Sequence, residues 1–186
     1  IGYDGYIEIE VDGTKKKIEI EEMHIEEDTC KSTHRGDKTL LDFNRAGVPL
    51  IEIVTKPCIS NSKEAKLYLE KLKELLFYTG ISDCKMEEGS MRCDVNVSIK
   101  PEGSSVFGTK VEVKNLNSIQ NVKDAIDYEV KRQAELLDKG EKVTQETRRF
   151  DEKTMSTVAM RLKESGVDYK YFPEPNIFPI RIDDAW

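Results

Sequence analysis

Carboxylates stand inside segments that otherwise alternate like β-strands. Glu26 and Glu27, Glu52, Glu87 and Glu88, Asp94 and Glu112 all lie beside or between alternating apolar residues. Close carboxylates repel one another unless a proton or a cation sits between them. A hard divalent ion such as magnesium is held by such oxygens and keeps its remaining positions for water and phosphate. If neighbouring strands bring several of these acids to one surface, the implied chemistry is a metal-nucleotide site on a concave sheet. A chain with 35% charged residues must also put carboxylates somewhere, and strand alternation sends many of them to a solvated face. Both readings stand on the residues alone.

Cations accompany these acids. Arg45 follows Asp42 and Asn44, Arg92 lies between Glu88 and Asp94, Lys114 and Asn115 follow Glu112, and Arg148 and Arg149 precede Asp151. A guanidinium fork suits a phosphoryl group or the charge that develops on it during transfer. Ion pairing across strands accounts equally well for each arginine taken alone. Neither a Gly-x-x-x-x-Gly-Lys loop nor a Gly-x-Gly-x-x-Gly turn occurs, so P-loop and Rossmann logic do not apply. His24 and His34 are isolated in sequence, and no cysteine or serine sits in a local nucleophile motif.

The elements that must position these groups read as follows. "YIEIEVDGTKKKIEIEEMHIEED" alternates on both sides of Asp12-Gly13, a hairpin signal that runs into an acidic tip. Residues 29–38 lack periodicity and read as a loop. "TLLDFNRAGVPLIEIVTKP" gives a short strand, a turn at Gly47 and a strand ended by Pro57, with Glu52 inside it. "SNSKEAKLYLEKLKELLFYTG" is an amphipathic helix with N-cap candidates at Ser60, Asn61 and Ser62. "CKMEEG" and "MRCDVNVSIK" read as a strand pair, followed by a strand in "TKVEVKNL". A second helix from Ser118 to Gly140 places Ile119, Val122, Ile126, Val130, Ala134 and Leu137 on one face. "KVTQETRRFD" reads as a strand, "STVAMRLKES" as a strand or short helix, and the proline-broken "DYKYFPEPNIFPIRIDDAW" as extended chain. The order predicts one α+β domain, a largely antiparallel sheet with flanking helices, with a hint of internal duplication.

Composition narrows the function classes. A chain of 186 residues supports one domain with a real core. The net charge of -7 argues against a face that grips nucleic acid widely, though not against contact with one end of an RNA. No apolar run approaches the length a bilayer requires, so no membrane association is expected. The four cysteines have no Cys-x-x-Cys spacing, which predicts free thiols in a reducing cytosol. A start at Ile1 and a stop after "RIDDAW" suggest a piece of something longer.

"LLDFNRAGVPLIEIVTKP", "KMEEGSMRCDVNVS", "VEVKNLNS", "QETRRFD" and "DYKYFPEP", in this order, resemble the GatB family, the B subunits of Asp/Glu-tRNA amidotransferases. The resemblance runs from "GYIEIEVDG" to "RIDDAW". It implies a cytoplasmic, ATP-dependent carbon-nitrogen ligase of protein biosynthesis. Such a protein uses ATP and Mg2+ to phosphorylate the side-chain carboxylate of Glu-tRNA(Gln) or Asp-tRNA(Asn). Ammonia from the glutaminase, the family's A subunit, then gives Gln-tRNA(Gln) or Asn-tRNA(Asn), and a small C subunit completes a heterotrimer. The resemblance further implies a duplicated β-α-β2-α core like that of glutamine synthetase and guanido kinases.

Motif by motif, the resemblance makes Glu26 and Glu27 in "MHIEED", Glu87 and Glu88 in "MEEGS", and Asp94 candidate metal ligands. Glu27, Glu88, Arg92 and Lys114 become candidate catalytic residues, and Arg45, Asn115 and Arg149 candidate nucleotide-binding residues. The family's N-terminal Gly-Leu-Glu-x-His strand and its C-terminal helical and tail domains are missing from residues 1–186. The chain is therefore expected to be the central part of a catalytic cradle, inactive in isolation. Two alternatives are a non-catalytic docking module for partner subunits or tRNA, and the archaeal paralogue specific for Glu-tRNA(Gln).

Overall fold

A two-residue strand, β1 (Gly2–Tyr3), precedes the hairpin of β2 (Tyr6–Val11) and β3 (Thr14–Glu27) in the computed structural model, which describes residues 2–162. Asp12 and Gly13 turn the hairpin with φ of 50° and 77°, the left-handed pair that matches the twist of the flanking strands. Ile7, Ile9, Ile18 and Ile20 point to one face and are buried. Glu21 is then an extra residue: Ile20 pairs with Thr55 but Glu22 with Val54. This bulge shifts the phase of the strand, so Met23 and not Glu22 continues the inward face.

Residues 29–38 were expected to be a loop, but β4 (Lys31–Arg35) and β5 (Lys38–Asp42) form a two-stranded ribbon there. The ribbon buries no face, so no apolar alternation announces it. β6 (Pro49–Thr55) returns against the second half of β3, with Met23 opposite Ile53, His24 opposite Glu52 and Glu27 opposite Pro49.

Helix α1 (Ser62–Tyr78) starts at Asn61, whose side chain accepts from the Glu64 amide at 2.9 Å, and buries Ala65, Tyr68, Leu69 and Leu72. The strand expected in "CKMEEG" is instead a turn. Gly89 at φ 79° closes it, the Gly89 amide bonds the Met86 carbonyl at 3.1 Å, and the Lys85 amide bonds Ser90 Oγ at 3.0 Å. Only Val95–Val97 (β7) forms a strand in the segment that follows, paired antiparallel with β8 (Val111–Lys114).

Helix α2 (Ile119–Asp138) is capped by Ser118, whose Oγ accepts from the Asn121 amide at 3.0 Å. It crosses over to β9 (Glu146–Asp151), which runs parallel to β8, and β10 (Ser156–Leu162) then pairs antiparallel with β9. The second sheet has the order β10-β9-β8-β7. The inner stripe of α2 departs from the apolar face that periodicity predicts: Val130 and Leu137 are exposed, while Glu129 and Gln133 are fully buried.

The fold is thus mixed α+β, mainly antiparallel, with β8–β9 as its parallel pair among the described strands. The two helices pack on each other, α1 against β2 and α2 against β7 and β10, around a single apolar cluster. The four cysteines are unpaired, and no described helix is long and apolar enough to cross a membrane. The extended chain expected from "DYKYFPEP" onward lies outside the described residues.

Candidate functional site

The second sheet buries one face and leaves the other polar. Val95 and Val97 pair with Val113 and Val111 beneath α2. On the opposite face Asp94 and Lys114 lie side by side, and Arg149 is the register partner of Lys114 on β9. Lys114 Nζ lies 2.6 Å from Asp94 and 3.4 Å from Glu112. Burial works against the Lys114 charge, but the hydrogen bond and attraction of Asp94, with those of Glu112, outweigh it and raise its pKa. Thr147 Oγ1 donates to Glu112 at 2.8 Å, and Arg149 pairs with Asp151 at 3.9 Å.

At the edge of this row lies a cavity of about 270 Å³, lined by Arg45, Met86, Gly89, Met91, Arg92, Cys93, Asp94, Asn115, Leu116 and Asn117. Three elements meet there: the β5–β6 connection carrying Arg45, the segment before β7 carrying Gly89 to Asp94, and the end of β8 carrying Asn115. Asn115 adopts φ 65°, a conformation that asparagine tolerates better than most residues. Its Nδ2 donates to the Phe150 carbonyl at 3.1 Å, which fixes the turn out of β8. Asp28 lies between the two arginines, hydrogen-bonded to Arg92 and 3.6 Å from Arg45 Nε. The Arg92 guanidinium, aided by the Thr29 amide and by Arg45, holds the Asp28 carboxyl below the usual range against a smaller effect of burial.

The structure therefore brings Arg45, Arg92, Asp94 and Asn115 together and places Lys114 one ion pair away, with Arg149 beside it. Glu87 and Glu88 are exposed on the turn that supplies Gly89, and Glu88 pairs with Lys85 at 3.0 Å. Glu26 and Glu27 fall on opposite faces of β3, as neighbours on a strand must. Glu27 continues the face of Met23 and Ile25, whereas Glu26 turns away to join His24 and Glu52.

That second group is the one set among the described residues in which three metal-capable side chains bring donor atoms within 4.8 Å of one another: His24, Glu26 and Glu52. His24 Nε2 lies 3.1 Å from Glu26 and 3.2 Å from Glu52, and Nδ1 lies 3.6 Å from Glu22. The hydrogen bond with Glu26 raises the His24 pKa, and attraction from Glu52 adds to it. Glu52 is held above the usual carboxylate range by burial and then by its contact with Glu26. His24 looks isolated in sequence because its partner Glu52 is reached through cross-strand pairing. Asp28 and Asn117 were also missed as site residues. Asp28 gains its meaning from arginines far along the chain, so no local spacing signals it.

A cavity of about 290 Å³ elsewhere is lined by Asp4, Gly5, Tyr6, Lys17, Glu19 and Lys56. Both of its cations are engaged: Lys17 lies 4.0 Å from the Tyr6 ring centroid, and Lys56 pairs with Glu19 at 3.4 Å and Asp4 at 3.9 Å. It holds none of the candidate residues. The arginine-lined cavity offers two guanidinium forks, a nearby ammonium and side-chain amides, the donor set of a phosphoryl-binding site.

Comparison with known proteins places the chain. It is 58% identical over its full length to the B subunit of the aspartyl/glutamyl-tRNA(Asn/Gln) amidotransferase of Staphylococcus aureus strain JH9, and equally to that of strain Newman. The chain spans 39% of the length of these relatives. The profile of the family described as the GatB/GatE catalytic domain matches residues 1–186. The chain belongs to the GatB/GatE catalytic domain family.

Proposed function

We propose that the protein carrying this chain phosphorylates the side-chain carboxylate of Glu-tRNA(Gln) or Asp-tRNA(Asn) with ATP and then amidates it. The observation that carries the reading is the cavity where Arg45, Arg92, Asp94 and Asn115 meet. A carboxylate oxygen of the tRNA-bound amino acid attacks the terminal phosphorus of ATP, the bond to ADP breaks, and an acyl phosphate forms. Ammonia then attacks the carbonyl carbon, phosphate leaves with the bonding pair, and the amide remains after loss of a proton. Arg45 and Arg92 stabilise the negative charge spread over the transferring phosphoryl oxygens. Lys114 adds positive charge beside them, and Arg149 extends it across the sheet.

Magnesium fits the donor chemistry of this wall. Asp94 offers hard oxygens at the cavity, and Mg2+ takes one or two protein carboxylates while water and phosphate fill its other positions. Asp94 would hold it, with Glu27, Glu87 and Glu88 as further candidates. When bound, the ion neutralises phosphate charge. The cradle reading also supposes a duplicated core like that of glutamine synthetase and guanido kinases. It further supposes a glutaminase and a small third protein as partners, and a cytoplasmic setting.

The test is ADP release by the complex assembled from the full-length protein and its partners, given ATP, magnesium and misacylated tRNA. Arg92→Ala is expected to lower that rate at least about a hundredfold, the scale of removing one group that stabilises transition-state charge. Assembly and glutamine hydrolysis are expected to survive. Unchanged ADP release would overturn the assignment of this cavity to phosphoryl transfer.

A further inference from the structure

Asp28 follows the last residue of β3 and is tied down from several sides. Its Oδ1 accepts from the Thr29 amide at 3.0 Å. Its own amide donates to the Val48 carbonyl at 2.8 Å, and its carbonyl accepts from the Gly47 amide at 2.8 Å. The carboxylate is therefore fixed both to the end of the strand and to the turn that carries Arg45. Its Oδ2 meets Arg92 Nη2 and lies 3.6 Å from Arg45 Nε.

Exposure separates anchor from tools. The Asp28 side chain is 10% exposed, while those of Arg45 and Arg92 are 53% and 50% exposed and line the cavity. A guanidinium has five N–H donors, so one contact to Asp28 leaves most of each fork for a ligand. Arg45 also passes close to Gly89: a Cβ there would stand 3.0 Å from its Nη1.

We propose that Asp28 is a positioning residue for phosphoryl transfer, holding the Arg45 and Arg92 forks side by side so that both present donors to phosphate oxygens in the cavity. The inference rests on reading that cavity as the phosphate site. A carboxylate next to phosphate repels it, so attraction for the nucleotide cannot be its contribution; orientation of the two cations is. Small displacements of a positioning group are costly to rate.

Asp28→Asn tests this, because it preserves shape and can keep the Thr29 hydrogen bond while removing the charge that faces the guanidinium groups. In the assembled full-length complex, ADP release at saturating ATP is expected to fall about tenfold or more. KM for ATP is expected to stay level or drop, since one repulsive charge is gone. In an Arg92→Ala background the same change is expected to cost less than about threefold, because residues that act through one another are not additive.

A wild-type rate in Asp28→Asn, or an equal loss in both backgrounds, overturns the positioning role. If Arg92→Ala itself releases ADP at the wild-type rate, the phosphate-site reading falls and takes the role of Asp28 with it. Thermal melting and assembly are recorded for each variant. If Asp28→Asn does not assemble, Asp28→Glu, which keeps the charge but changes its reach, goes through the same cycle with the same outcomes expected.

Discussion

Gly89 sits where backbone and side-chain constraints coincide. Its φ of 79° disfavours any residue with a Cβ, and that Cβ would press on Arg45 Nη1 at 3.0 Å. The flexible end of Arg45 must then give way by a few tenths of an ångström, in a side chain whose Nε lies 3.6 Å from Asp28. Gly89→Ala is therefore expected to have two effects. Stability falls by about 1 kcal/mol from the left-handed backbone, read as a lower denaturation midpoint at unchanged slope. ADP release falls further than this modest loss of folded protein explains, because Arg45 is displaced. A variant with the stability loss and a full rate would show that the position of Arg45 does not matter. Asn115 has a comparable conformation but a different anchor, its amide being engaged by the Phe150 carbonyl. Its contribution to the site is thus partly to aim the chain after β8.

Elements decide on which face of β3 each of two adjacent carboxylates stands. The extra residue Glu21 resets the alternation of β3, so Met23, which packs against the core, shares its face with the exposed Ile25 and Glu27, and Glu22, His24 and Glu26 share the other. Glu27→Gln is accordingly expected to lower ADP release about a hundredfold, and Glu26→Gln less than about threefold. The reverse ranking would place the chemistry on the face of His24 and Glu52. Sequence patterns located the β2–β3 hairpin, β6, β8, β9 and both helices, because apolar residues recur in each at strand or helix spacing. They did not show the bulge, which leaves every residue type unchanged while flipping the faces beyond it. They do not separate the turn in "CKMEEG" from a strand, because the left-handed φ of Gly89 is a property of the folded backbone. The cations of the site were legible as types, Arg45, Arg92 and Lys114 beside acids, whereas Asp28 and the pairing of His24 with Glu52 exist only through long-range contacts.

At the scale of the whole molecule, α2 joins the second sheet through charge as well as apolar packing. Glu129 is fully buried and meets Arg132 at 2.9 Å, Arg148 at 3.3 Å, Gln133 at 3.1 Å and the Thr157 hydroxyl. Arg148 also bonds Glu146 at 2.6 Å, so β9 and β10 are fastened to the helix by one network. Because Arg148 faces inward, its neighbour Arg149 must face the polar side of the sheet beside Lys114. Burial raises the Glu129 pKa, but hydrogen bonds from Arg132, Thr157 and Gln133 outweigh it, and the net shift is below the ordinary value of 4.5. A carboxylate with a depressed folded pKa binds fewer protons in the folded than in the unfolded state near that pKa. Its stabilisation is then complete above about 4.5 and is lost as pH falls through the folded value. Denaturation measured from neutral pH downward is expected to show stability decreasing below about 4.5. Glu129→Gln is expected to cost about 3 kcal/mol at neutral pH, since it removes the fully buried carboxylate from a network in which Arg132 and Arg148 then share only Glu146, and to flatten the acid dependence. An unchanged acid profile in Glu129→Gln would mean that other carboxylates set the acid stability of the fold.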